Sequence, residues 1–213
     1  MKRFFSVFLA LALLLSGCGA SSEPARLTLF AMNTVMDLQT WGPDAEAANG
    51  QIRELCASLE ENWSASREDS LLSRLNRGEA PQLSKEQAEL MAAVAALSER
   101  TGGAFDPTLR SVSALWDFTG ENPRVPEPEE LEAARAQKQW DMGAALKGYT
   151  GQKAAEMLET LDVDRAILNL GGNIQTYGEK PDGSPWVIGI QNPDSVYYLG
   201  YFHVAGTASV VTS

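Results

Sequence analysis

The run Asp141-Met142-Gly143-Ala144-Ala145-Leu146-Lys147-Gly148-Tyr149 places a carboxylate, two glycines and a lysine at what reads as the start of a helix. About twenty residues later comes Asn169-Leu170-Gly171-Gly172-Asn173. Glycines let a backbone come close to a ligand, and a helix N-terminus favours anions. A lysine in the same turn adds a movable positive charge. Two such bends in one chain point to a phosphate-bearing ligand. The residues alone also admit plainer roles: Asp141 as a helix N-cap, Lys147 as a solvated lysine, and Gly171 and Gly172 as either ligand-lining or a β-bulge.

These bends need elements to hold them. Residues 27–40 alternate loosely and predict a strand broken at Ala31-Met32-Asn33-Thr34. Trp41-Gly42-Pro43-Asp44 predicts a turn, with Asp44 capping a helix that carries Ile52, Leu55, Cys56 and Leu59 on one face and stops near Trp63. Residues 70–76 predict a short helical turn. Ser84-Lys85-Glu86-Gln87 is a capping box opening a helix with Leu90, Met91, Val94 and Leu97 inward, ended by Gly102-Gly103. Pro107 biases Asp106 to extended backbone, so Asp106 is expected on a loop. Residues 121–128 form a proline-rich connector, and 129–139 a charged helix. Strands follow at 166–170, 174–177, 186–191, 197–204 and 208–211, with a turn at Asp182-Gly183. The sum is an α+β fold with helices packed on a largely antiparallel sheet. The last strand pattern runs to the end of the sequence, and the expectation is a chain cut short at its C-terminus.

The N-terminus speaks of location. Met1-Lys2-Arg3 is basic, residues 4–15 are apolar, and Leu15-Ser16-Gly17-Cys18 places small residues before a cysteine. This predicts a lipoprotein leader over residues 1–17, a lipid on Cys18, and a linker over 18–26 leading to one domain at 27–213. The protein is then exported and tethered to the membrane, without a membrane-spanning domain. Cys56 reads as a buried structural thiol, and His203, the single histidine, as a strand side chain. The formal charge is -11, and removing Lys2 and Arg3 with the leader makes it -13. That balance argues against nucleic-acid binding and requires any phosphate site to be local.

In order along the chain, six segments resemble the ApbE-type FAD:protein FMN transferases. Met32-Asn33-Thr34 is similar to that family's Met-Gly-Thr. Ser70-Leu71-Leu72-Ser73-Arg74-Leu75-Asn76 resembles its Ser-x-x-x-Arg-x-Asn. Gly103-Ala104-Phe105-Asp106-Pro107-Thr108, with Leu115-Trp116 beyond, resembles Gly-Ala-Phe-Asp-Pro-Thr and Leu-Trp. The runs at 141–149, 169–173 and 186–193 resemble the remaining three.

The resemblance implies a reaction, transfer of FMN from FAD to a threonine hydroxyl on a target flavoprotein of an electron-transfer complex, with Mg²⁺ required. Hydrolysis of FAD to FMN and AMP is one alternative; a non-catalytic FAD-binding lipoprotein, or an inactive fragment, is the other. It implies that Met32, Ala104, Phe105, Asp106, Asp141 and Lys147 bind FAD, and that Ala144 offers its backbone carbonyl to Mg²⁺. It names no catalytic residue in this chain. Departures from the family pattern are Asn33 for glycine, Ala144 and Ala145 in the glycine turn, Gln152 for aspartate, and Ser66 where an aromatic often stacks on the flavin. Trp63 is a candidate to take over that stacking. The family also continues past residue 213 with an aspartate and a threonine of its magnesium site.

Overall fold

The computed structural model describes residues 23–118 and 120–211. The leader, Cys18 and the linker as far as residue 22 lie outside them. The described chain forms two compact units. One holds the segments up to Leu29, Val35–Ile52 and Ala154 onward; the other holds Phe30–Thr34 and Arg53–Lys153.

The first unit is built on a five-stranded sheet. Strands β1 (Ala25–Ala31) and β2 (Thr34–Trp41) form a hairpin, followed in space by β3 (Arg165–Asn169), β4 (Asn173–Tyr177) and β7 (Ala208–Val211). The pairings of β2 with β3, β3 with β4, and β4 with β7 are all antiparallel. Register explains which side is buried. Leu38 faces Leu168 and Thr40 faces Ala166, so the alternate residues of two strands turn to one side. All four are fully buried. Helix α1 (Ala45–Trp63) begins in this unit with Ala45, Ala48 and Ile52 buried. A buried polar chain fixes its first turns: Thr40 Oγ1 donates to Asn49 Oδ1 at 2.8 Å, and Asn49 Nδ2 donates to the Ala25 carbonyl at 3.1 Å. Asp44 stands at the boundary of α1, and its carboxylate accepts the Asp162 N–H at 3.0 Å.

The break expected near Ala31–Thr34 is a two-residue turn. Met32 (φ 51°) and Asn33 (φ 59°) are both left-handed, the conformation a tight hairpin requires. Asn33 tolerates it; Met32 does not do so easily. The Gly171-Gly172 pair does the same between β3 and β4, at φ 69° and 89°, and the Leu170 N–H donates to the Asn173 carbonyl across it. The β-bulge reading is therefore replaced by a hairpin turn. A separate ribbon, β5 (Trp186–Gln191) with β6 (Tyr198–Val204), is antiparallel and exposes Tyr198, Leu199, Tyr201 and Phe202.

The second unit is helical. It contains the end of α1, then α2 (Leu71–Asn76), α3 (Lys85–Arg100), α4 (Arg110–Ala114), α5 (Pro128–Gln137) and the first turns of α6 (Gly143–Leu158). Its core gathers Leu59, Trp63, Leu72, Leu90, Val94 and Met142. The Ser84–Gln87 capping box is present with both of its hydrogen bonds. Leu90 and Val94 point inward as expected, whereas Leu97 is 41% exposed. The last turn of α3 runs beyond the core that its middle covers.

Candidate functional site

Three stretches of the helical unit meet at one place. The first is the β1–β2 turn, which carries Met32; its sulfur accepts from Thr150 Oγ1 at 3.8 Å, and its side chain packs on the unit's core. The second is the loop from Phe105 to Arg110. The third is the approach to α6 at residues 139–147. Backbone hydrogen bonds tie the second to the third. The Asp141 N–H donates to the Pro107 carbonyl at 2.8 Å, and the Arg110 N–H donates to the Gln139 carbonyl at 3.1 Å. Leu109 and Gln139 form a parallel bridge.

Met32, Asp141 and Lys147 line one cavity of about 420 Å³, within the usual range for ligand sites. Trp63, Ser66 and Arg110 line it too, together with Glu60. Of the residues called from the sequence, these walls bring together Met32, Asp141 and Lys147. Ala104, Phe105 and Asp106 are not on them. Phe105 is half-buried against the core. Asp106 lies on a loop, as its proline neighbour dictates, and folds back on itself: its Oδ1 accepts from the Thr108 hydroxyl at 2.7 Å and the Thr108 N–H at 2.8 Å. Those two bonds hold its carboxyl below the usual range, with Lys138 adding attraction.

Asp141 shapes the entry to α6. Its Oδ1 accepts the Gly143 N–H at 2.7 Å, an aspartate turn placed just before the helix. The aspartate turn and the cavity-lining position therefore coexist, while the N-cap position expected for Asp141 falls to Met142, whose carbonyl accepts the Leu146 N–H at 2.9 Å. Ala144 is exposed in the first turn of α6. Trp63 is 3% exposed and belongs to the core, so it forms a fixed wall of the cavity. Ser66 is exposed beside it.

The segment Ser70 to Asn76 works behind the site. Ser70 Oγ caps α2 through the Ser73 N–H and donates to the Ser64 carbonyl at 2.7 Å, which fixes the loop that carries Ser66. Arg74 pairs with Glu79 at 2.8 Å. Asn76 holds the backbone of Trp140, the residue before Asp141.

A larger cavity, about 630 Å³, lies within the sheet unit. Asn169 and Gly172 of the second glycine bend line it, with Ile188, Ile190, Tyr198 and Phe202. It brings together none of the called FAD residues, and we place the candidate site in the helical unit.

A family model described as the ApbE family matches residues 32–213. The chain belongs to the ApbE family. Among relatives of this ApbE chain, the FAD:protein FMN transferase of Haemophilus influenzae is 26% identical over 91% of the chain and 66% of its own length. That of Vibrio cholerae is 28% identical over 90% of the chain and 66% of its own length. The crystal structure of the Thermotoga maritima ApbE protein superposes with a TM-score of 0.81 at 26% identity, over 90% of this chain and 70% of that one. Apo Pseudomonas stutzeri flavinyl transferase ApbE gives 0.74 at 28% identity, over 86% and 66%. The α+β architecture is thus the ApbE fold, and this chain spans about two thirds of the length of the relatives it matches.

Proposed function

We propose that this chain binds FAD in the Met32–Asp141–Lys147 cavity as part of an FAD:protein FMN transferase. The observation that carries the reading is the convergence of those three residues, 115 positions apart at the extremes of Met32 and Lys147, on one cavity. The name borne by its relatives supports it. In the reaction, a threonine hydroxyl oxygen of the target protein attacks the flavin-side phosphorus of FAD. The phosphoanhydride bond breaks, a phosphoester bond forms, AMP leaves and the hydroxyl proton is released. Lys147 supplies positive charge at the site, where the transferring oxygens gain negative charge. Trp63 and Met32 supply apolar surface for a planar ring.

The residues on these walls do not by themselves fit a magnesium ion. Mg²⁺ wants six oxygen ligands in near-octahedral geometry, commonly with one or two carboxylates. The called donor is a single carbonyl, that of Ala144, in the first turn of a helix. Among the described residues no group of three or more histidine, cysteine, aspartate or glutamate side chains could hold a metal.

The leader motif supports export and lipidation at Cys18, with the target a threonine-bearing flavoprotein outside the cytoplasm. Among the described residues no helix is long and apolar enough to cross a membrane.

The test is direct. The purified chain is mixed with FAD, Mg²⁺ and a threonine-bearing target, and flavin is read as fluorescence in a denaturing gel. FAD binding is measured separately by calorimetry. Binding that falls about tenfold in Lys147→Ala supports the site. Absence of FAD binding to the unsubstituted chain ends the proposal.

A further inference from the structure

Arg110 was invisible as a functional residue in the sequence, yet the structure gives it an unusual position. Five cations among the described residues are half-buried: Arg110, Lys147, Lys153, Arg165 and Lys180. Lys153 lies over the Tyr149 ring, Arg165 over Trp41 and Lys180 over Trp186. The Arg110 guanidinium and the Lys147 ammonium have no side-chain hydrogen bond, ion pair or ring among the described residues. Nearby arginines contrast with them: Arg67 pairs with Asp69, Arg74 with Glu79, and Arg77 with Glu79. Taking a cation partly out of water costs free energy unless something compensates. Both uncompensated cations line the same cavity.

Arg110 also lines a second cavity, of about 320 Å³, that shares Ala65 and Ser66 with the first. Arg67, Arg77 and Asn76 stand around it. Glu68 lines it too, and Arg67 and Arg77 are already paired with Asp69 and Glu79, which leaves Arg110 as the unpaired cation of this cavity. Each cavity sits near the low end of ligand-site volumes. A dinucleotide needs more than one of them, and Arg110 is the charged residue common to both. Its planar fork matches two phosphate oxygens at once, while Lys147 offers a point charge.

We propose that Arg110 binds the diphosphate of the dinucleotide, with Lys147 on the same group, at the junction of the two cavities. This rests on the FAD reading above and extends it to a residue which that reading does not use. Glu60 and Asp141 share the first cavity. The Gly143 N–H takes one oxygen of Asp141, and the two cations offset the charge of the two carboxylates on these walls.

The experiment measures FAD and riboflavin affinities by flavin fluorescence for the full chain and for Arg110→Gln and Arg110→Lys. Riboflavin has the ring and lacks the diphosphate. Arg110→Gln is expected to weaken FAD about tenfold to a hundredfold and leave riboflavin within about twofold. Arg110→Lys recovers part of the loss, because it restores charge without the fork. Inorganic pyrophosphate displaces FAD from the unsubstituted chain and does so less well from Arg110→Gln. The Arg110 backbone bond to Gln139 survives either substitution, and circular dichroism confirms the fold. Equal FAD affinity in Arg110→Gln overturns the assignment while the FAD site stands. Equal losses for FAD and riboflavin also overturn it, because they reveal a role in shape. Failure of the unsubstituted chain to bind FAD removes the site and this assignment together.

Discussion

The Asn76 side chain holds both backbone groups of Trp140, donating from Nδ2 to its carbonyl at 2.9 Å and accepting its N–H at Oδ1 at 2.7 Å. The two residues are 64 apart in sequence. One amide therefore locks the peptide that leads into Asp141 and α6. This gives the asparagine at the end of the Ser70–Asn76 segment a positioning role through the backbone of Trp140. Asn76 positions the loop, and Asp141 and Lys147 inherit the placement.

Removing that amide should be costly. Asn76→Ala deletes two hydrogen bonds and leaves a half-buried N–H and C=O to find water, a loss of about 2–3 kcal/mol. Asn76→Asp keeps the acceptor for the Trp140 N–H and loses the donor, so it should fall between. Urea denaturation reads both. FAD affinity should fall in the same order. A stability change in Asn76→Ala below about 0.5 kcal/mol means that the clamp contributes nothing.

How much of this could be read beforehand depends on the length of the signal. The Ser84–Gln87 box is a local pattern of two side chains, and the structure keeps it. Strand β7 is legible at its observed residues, because Ala208–Val211 ends in the β-branched pair Val210-Val211 and follows a turn at Gly206. Helix α4 left no trace: five residues make less than two turns, too few for a 3.6-residue period to show. Leu97 fits the apolar stripe of α3 yet is exposed, since periodicity tells which face points inward and not how far the neighbouring core extends. Gly171-Gly172 lies between two strands and carried the hairpin signal; the ladder across it decides against a bulge. Arg110 had no signal at all. An arginine becomes informative only when its lack of partners and its cavity are visible.

Burial pushes the Cys56 thiol up to about 11, with Glu60 adding repulsion. The folded state thus keeps its proton at pH values where the unfolded chain has lost it. Stability from this group is fully present below the unfolded value near 9, and is lost as pH rises toward 11. The loss is ~2–3 kcal/mol at most. Denaturation curves between pH 8 and 11 should fall more steeply for the unsubstituted chain than for Cys56→Ala. Parallel curves would show that the thiol does not titrate with folding. The same burial predicts no reaction of the native thiol with an aromatic disulfide reagent.

Gly42 sets the exit of β2. At φ +128° a Cβ would lie 2.7 Å from the Asp162 carbonyl oxygen and 2.8 Å from the Asp164 nitrogen. Both are backbone atoms in the segment that Asp44 also binds, so neither can swing away. Gly42→Ala should lose about 2 kcal/mol or more, from strain and overpacking together. The melting temperature should fall by several degrees. A melt unchanged within about a degree means that the loop at 162–164 yields freely.

Ser66 offers a gain in place of a loss. It is exposed on the cavity wall beside Trp63, on a loop fixed by the Ser70–Ser64 hydrogen bond. A tyrosine here could lay its face on an isoalloxazine ring, and an offset aromatic pair contributes about 0.5–1.5 kcal/mol beyond simple area. Ser66→Tyr should therefore bind FAD roughly twofold to tenfold more tightly and quench flavin fluorescence in the complex. Ser66→Leu separates the causes. It adds comparable apolar bulk without a π-face, so it should tighten binding less and leave the fluorescence unquenched. Because the loop's anchor is Ser70 and not Ser66, neither change should disturb α2. If Tyr and Leu act alike, the flavin ring does not lie over residue 66, and the ring must sit elsewhere along the cavity than beside Trp63.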